Sequence, residues 1–423
     1  MAITTSAPRP RDIPPPAPGP AGRERTDWLG IAFGLALGSL AGYHQFKLPP
    51  ALPVMLRTYG FDETFAGALM SVYAVIGMLF SGAIGAWQSR QGMAPFLHVA
   101  LALLAAGNVV GLMAPESPPL LLLGRAAEAA GFAILAINCP LLCARHASPR
   151  HRIIAVAIGA TWIPVGQLCA IALGAATLPA GDWQALWWGG LVACAAFAAL
   201  AVALSRRLDL SPPQAPGRNR LDAADRGRRA AVVLTATLFM LWSTQLIAYF
   251  TWLPEVLVSA FALDAAQAAV AYAVPVATVL AFNLAGGWLL RHGAAVAPLL
   301  AVSLALQLAV WVALPWTQTD WTGVVSLLVY GAGAGVTPTC LYALPSLLFG
   351  HRPPSSAFAT LMTGRSLGVL VGPLLLAQAF ALTGDWNVAS PIFAVASALA
   401  VAGAVVLHRR LQRLGLGRHQ HGG

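Results

Sequence analysis

The chain reads as an all-α polytopic membrane protein, with twelve transmembrane helices in two pseudo-symmetric six-helix bundles. Three observations predict this. Of 423 residues, 58% are hydrophobic and only 9% are charged, against roughly 25% charged in a soluble domain. The apolar residues gather into twelve runs, each long enough to cross about 30 Å of hydrocarbon at about 1.5 Å per residue. The basic residues crowd into alternate loops. Such a composition excludes a soluble enzyme, a disordered scaffold and a secreted disulfide framework.

Taken in order, residues 1–27 are Pro-rich and basic, with no apolar run before Trp28. They predict a disordered cytoplasmic tail and not a cleaved signal peptide. The first six spans follow at 28–50, 64–88, 95–114, 118–144, 153–178 and 184–205, giving an N-terminal bundle over 28–205. Membrane strands would alternate apolar and polar residues over about ten positions, whereas these runs are continuous and rich in Ala, Leu, Gly and Val. Span 1 repeats Gly30, Gly34, Gly38 and Gly42, a small-residue face on which helices approach closely. Residues 206–229, with Ser211-Pro212-Pro213 and many arginines, predict a cytoplasmic linker. The second set lies at 230–252, 266–290, 294–314, 321–349, 355–382 and 387–408, a C-terminal bundle over 230–408. Gly364, Gly368 and Gly372 repeat the four-residue spacing in span 11. A basic tail closes the chain at 409–423.

Charge then orients the spans. Of the 25 basic residues, 21 fall in the two tails and the loops between spans 2–3, 4–5, 6–7, 8–9 and 10–11. The opposite loops hold Asp62, Glu63, Glu116, Asp182, Glu255, Asp264, Asp320 and Asp385, with Arg57 as their clear cation. By the positive-inside rule both termini are cytoplasmic, in the cell (inner) membrane. The net charge of +10 is a topology signal and not a nucleic-acid footprint.

The halves also repeat each other at an offset of about 201–203 residues. Gly85-Ala86-Trp87-Gln88-Ser89-Arg90-Gln91-Gly92 after span 2 matches Gly286-Gly287-Trp288-Leu289-Leu290-Arg291-His292-Gly293 after span 8. Leu52-Pro53 answers Leu253-Pro254, and Gly181-Asp182-Trp183 answers Gly384-Asp385-Trp386. Two bundles of one orientation can rock about a site between them. On these features the chain resembles the major facilitator superfamily from residue 28 onward. The loop after span 2 is similar to that family's G-x-x-x-D-R-x-G gating motif through Gly85, Arg90 and Gly92, with Ser89 at the acidic position and Arg291 as the repeat's counterpart. Span 4 is similar to R-x-x-[Q/E]-G-x-G through Arg125, Glu128 and Gly131, with Ala129 at the first glycine. The antiporter pattern G-x-x-x-G-P is absent from span 5, which has Pro164-Val165-Gly166, and stands in span 11 as Gly368 to Pro373. The texture resembles the cyanate- and nitroimidazole-type branch. The resemblance implies secondary transport by alternating access.

Ionisable groups at membrane depth are costly and mark candidate sites. Glu128 is the carboxylate that lies well inside a span. With Arg125 one turn away it forms a candidate coupling pair, or a self-neutralising structural one. Arg365 lies about ten residues into span 11, with no acid near it in sequence, and its planar fork suits a carboxylate or similar anion. Lys47, the sole lysine, follows His44 and Gln45 in span 1. These three, with Gln245, Asn138 and Asn283, complete the candidate substrate site. The reading is a transporter, not an enzyme, moving a small organic or inorganic anion, with protons as a candidate coupling ion and a monomer in the bilayer as its working form. The 13 tryptophans and 16 phenylalanines permit an alternative, efflux of apolar or amphipathic compounds; a non-transporting membrane sensor is a third reading, for which neither tail nor any loop is long enough. No Walker motif, nucleophile elbow or metal-ligand spacing appears, and the five cysteines form no CxxC pair; no cofactor, metal or nucleic acid is expected.

Overall fold

The computed structural model describes residues 25–416, except 92, 149, 152–154, 156–157, 206, 209, 211–225, 318 and 350–354. Its long helices are α1 Trp28–Phe46, α2 Leu48–Tyr59, α3 Glu63–Gln91, α4 Ala94–Met113, α5 Pro118–His146, α6 Trp162–Thr177, α7 Gln184–Leu204, α8 Arg226–Ser259, α9 Ala265–Arg291, α10 Val296–Ala313, α11 Trp321–Phe349, α12 Ser355–Thr383 and α13 Ala389–Arg413. Among the described residues there is no strand. Among the described residues, ten helical segments have the length and hydropathy of a membrane span. Span 1 is carried by α1 and α2 together, and span 2 by α3.

Span 1 does not stop at residue 50. The pair Pro49-Pro50 deletes two amide donors and breaks the helix at Lys47. The chain then resumes as α2, because proline is tolerated in a helix's first turn. Span 7 has Phe250-Thr251 in the corresponding place, and α8 runs unbroken across it.

The sequence repeat is a repeat of packing. In the N-terminal half α1 packs on α6, α3 on α5, α4 on α5 and α4 on α7. In the C-terminal half the counterparts pack alike: α8 on α12, α9 on α11, α10 on α11 and α10 on α13. The glycines show why. A Cβ on Gly166 of α6 would collide with the Ser39 carbonyl of α1, and one on Gly368 of α12 with the Met240 carbonyl of α8. Backbones this close exclude any side chain. The Gly-Asp-Trp repeat is a turn. Gly181 and Gly384 both take left-handed backbone, at φ 78° and 67°. Asp182 and Asp385 then accept hydrogen bonds from the Ala185 and Asn387 amides, and Trp183 and Trp386 are buried beside them.

Among the described residues, three large apolar cores divide the molecule, beside a small cluster of Ile31, Cys143, Ala147 and Ala155. One, including Phe46, Leu52, Trp183, Trp252, Tyr272 and Phe393, joins both halves on the side away from the termini. The other two lie toward the termini and stay within single halves: Leu37, Leu97 and Leu135 in one, Phe239, Leu300 and Leu344 in the other. The hydrogen bonds between halves agree. Ser71 Oγ donates to the Leu370 carbonyl at 2.8 Å, Gln167 Nε2 to Tyr272 Oη at 2.7 Å and Gln378 Nε2 to Thr64 Oγ1 at 2.7 Å. Among the described residues, the halves are thus sealed together on the far side and have separate cores on the side of the termini.

Candidate functional site

The charged residues of spans 1 and 4 meet at the break in span 1. Lys47 and Glu128 are fully buried and Arg125 is 1% exposed. Lys47 Nζ donates to Glu128 Oε1 at 2.8 Å and to Asn108 Oδ1 at 2.5 Å, and sits 4.4 Å from the centre of the Trp187 ring. Arg125 Nη1 donates to Glu128 Oε2 at 2.5 Å, and the guanidinium covers the Tyr73 ring at 4.6 Å. The Tyr73 hydroxyl lies 3.1 Å from Glu128 Oε2. Each oxygen of Glu128 therefore faces a cation, in a cluster of two positive charges and one negative. Mutual pairing is what makes such groups tolerable in a low dielectric.

Arg125 does more than pair. Its Nη1 donates to the His44 carbonyl at 2.8 Å and its Nη2 to the Gln45 carbonyl at 3.2 Å, both in the last turn of α1. The Tyr73 hydroxyl is 3.0 Å from the same His44 carbonyl.

A polar node extends from this cluster. Asn108 Nδ2 lies 3.2 Å from His44 Nδ1, and His44 Nε2 lies 3.4 Å from Cys194 Sγ. These join spans 1, 3 and 6. The C-terminal half places Gln245, Trp311 and Ser397 at the matching positions of spans 7, 9 and 12. There Trp311 Nε1 and Ser397 Oγ both donate to Gln245 Oε1. The Gln245 amide nitrogen is buried and has no partner among the described residues. Composition and motif spacing do not single out Asn108, Cys194, Trp311 or Ser397. The repeat offset, applied to every polar residue inside a span, is the signal that finds them.

Arg365 is separate from this cluster. It is half-buried in α12, and no hydrogen bond or ion pair holds its guanidinium among the described residues. Tyr342 of α11 lies within its electrostatic reach, is 42% exposed and packs edge-on against Phe239 of α8 at 5.3 Å. Arg365 thus sits among α8, α11 and α12, in the half of the molecule where the two bundles have separate cores.

The remaining candidates are dispersed. Gln45 is 2% exposed, and its Oε1 has no partner among the described residues. Asn138 is buried, and its amide donates to the Ile134 carbonyl at 2.8 Å. Asn283 is half-buried in α9, where its carbonyl accepts from Thr339 Oγ1 at 3.5 Å. Gly85 and Arg90 continue the backbone of α3, while the Arg90 side chain and Gly92 lie outside the described residues. Arg291 ends α9 and is exposed. No cluster of three or more metal-ligating side chains occurs among the described residues.

The sequence profile of the Major Facilitator Superfamily matches residues 30–373. No curated protein sequence matches the chain. Among solved structures, the fold is similar to a bacterial homolog of the human lysosomal transporter Spinster, in an inward-facing, unoccupied conformation. That match has a TM-score of 0.68 at 14% identity, over 92% of this chain and 96% of that one. The occupied inward-facing form of the same protein gives 0.62 at 14% identity, with the same coverage. A point mutant of the nucleoside transporter NupG gives 0.67 at 15% identity, over 89% of this chain and 99% of that one.

Proposed function

Because the chain belongs to the Major Facilitator Superfamily and is a transporter rather than an enzyme, we propose that it moves a small anion across the membrane by alternating access, with Arg365 as the anchor. One observation carries this reading. Of the three cations set deep within the spans, away from their ends, Lys47 and Arg125 are committed to Glu128 and to helix carbonyls, while Arg365 is half-buried and held by no carboxylate among the described residues. A guanidinium in that setting is matched to a carboxylate or another planar oxyanion.

The positive-inside rule adds a direction. It makes the side of the termini cytoplasmic, so the seal formed by Ser71, Gln167 and Gln378 faces outward. The state described is then open inward. The solved inward-facing Spinster homolog, with which this fold overlaps, supports that reading. The unit of transport is one chain, since both bundles that flank the path belong to it.

The test is uptake into proteoliposomes, with a panel of radiolabelled organic and inorganic anions and one neutral amphipathic compound. An anion should be transported, and Arg365→Ala should reduce its uptake by about tenfold or more, in line with loss of a charge-assisted hydrogen bond. Undiminished anion uptake in that variant defeats the anchoring role. Arg365-independent transport of the amphipathic compound would instead favour drug-type efflux.

A further inference from the structure

We infer that Arg125 is a positioning residue for span 1, supplying to the Gln45 carbonyl a hydrogen-bond donor in place of the one that Pro49 removes. In a continuous helix each carbonyl accepts from the amide four residues on. The Gln45 carbonyl would meet residue 49 and the Phe46 carbonyl residue 50, and both are prolines with no N–H. The helical hydrogen-bond ladder lapses after Lys47, whose own backbone stays helical at φ −71° and ψ −25°. An unsatisfied carbonyl within a bilayer costs several kcal/mol unless another group reaches it. The Arg125 fork reaches the Gln45 carbonyl with Nη2, and with Nη1 holds the neighbouring His44 carbonyl, whose own partner Leu48 keeps its amide.

A guanidinium brought in for this purpose introduces a charge. Glu128, one turn along the same helix, neutralises it at 2.5 Å. Lys47, the residue at the break itself, closes the other oxygen of that carboxylate.

The repeat supplies an internal control. Span 7 has Phe250 and Thr251 where span 1 has the two prolines, and α8 is continuous there. At an offset of 202–203 the counterparts of Arg125 are Leu327 and Leu328, and those of Glu128 are Tyr330 and Gly331. Where the prolines are missing, the arginine and the carboxylate are missing too. This assignment is independent of the anion reading and holds whatever the substrate.

A double-mutant cycle in the full-length detergent-purified protein tests it. Arg125→Leu leaves Lys47 and Glu128 charge-matched. It should lower the unfolding midpoint by roughly 5 °C or more in the natural background. With Pro49→Ala and Pro50→Ala, which restore both amides, the same change should cost less than half as much. Hydrogen exchange should rise in peptides covering residues 43–52 on Arg125→Leu, and fall back with the alanines present. An equal penalty in both backgrounds, or exchange unchanged over 43–52, overturns the assignment. Should Arg125→Leu not fold, Arg125→Lys, which keeps the charge but loses the planar fork, runs the same cycle with the same criteria.

Discussion

At the scale of single residues, three buried charges behave as one unit. Their arithmetic predicts an order of damage. Glu128→Gln leaves Lys47 and Arg125 facing each other, both essentially without solvent. Lys47→Met leaves the Arg125–Glu128 pair intact. Removing one member of a buried ion pair typically costs about 3–5 kcal/mol, so Glu128→Gln should be the more destabilising by thermal unfolding in detergent. Equal midpoints for the two variants would contradict the geometry. Part of this is readable from sequence. Arg125 and Glu128 stand three apart, so helical spacing alone brings them together. Lys47 lies 81 residues from Glu128 and 61 from Asn108. No local rule connects residues so distant, and its neighbours become visible only when spans 1, 3 and 4 are packed.

Among elements, the informative contacts are backbone on backbone. Gly166 against Ser39 and Gly368 against Met240 are the same contact made twice. Gly166→Ala and Gly368→Ala should each destabilise, by about 1–3 kcal/mol for overpacking. Gly287→Ala, where no atom lies within 4 Å of the added carbon, should be near neutral in the same thermal assay. The four-residue glycine spacing of spans 1 and 11 is plain in sequence, because it is a local pattern. The extent of span 1 is not. Pro49-Pro50 reads as a terminator on propensity, but the Gln45 carbonyl that Pro49 orphans is met by a side chain from α5, and the chain goes on as helix to Tyr59. Propensity has no term for a donor arriving from elsewhere in the fold.

For the whole molecule, the division into one shared core and two private ones defines a conformation. Thr64 and Gln378 lie in opposite halves and touch on the shared side. Replacing both with cysteine and bridging them with a short thiol crosslinker should stop transport, and cleaving the bridge should restore it. Full activity with the bridge in place would mean that this seam never opens. Twelve spans and a doubled architecture are legible because both leave periodic marks: apolar run length, loop charge and the offset of about 201–203. Which side is sealed is not legible. Alternating states share one sequence, and their difference lies in a few contacts between halves, such as Gln167 with Tyr272.

The burial of Lys47 has a practical consequence for anyone handling the protein. The chain's one lysine has no accessible surface, so the folded molecule offers amine-reactive reagents little besides its N-terminal amine. A succinimidyl dye should label the native protein at that amine. A second label at residue 47 would then report the opening of the N-terminal bundle. Labelling stoichiometry thus doubles as a clock for unfolding, with no engineered probe.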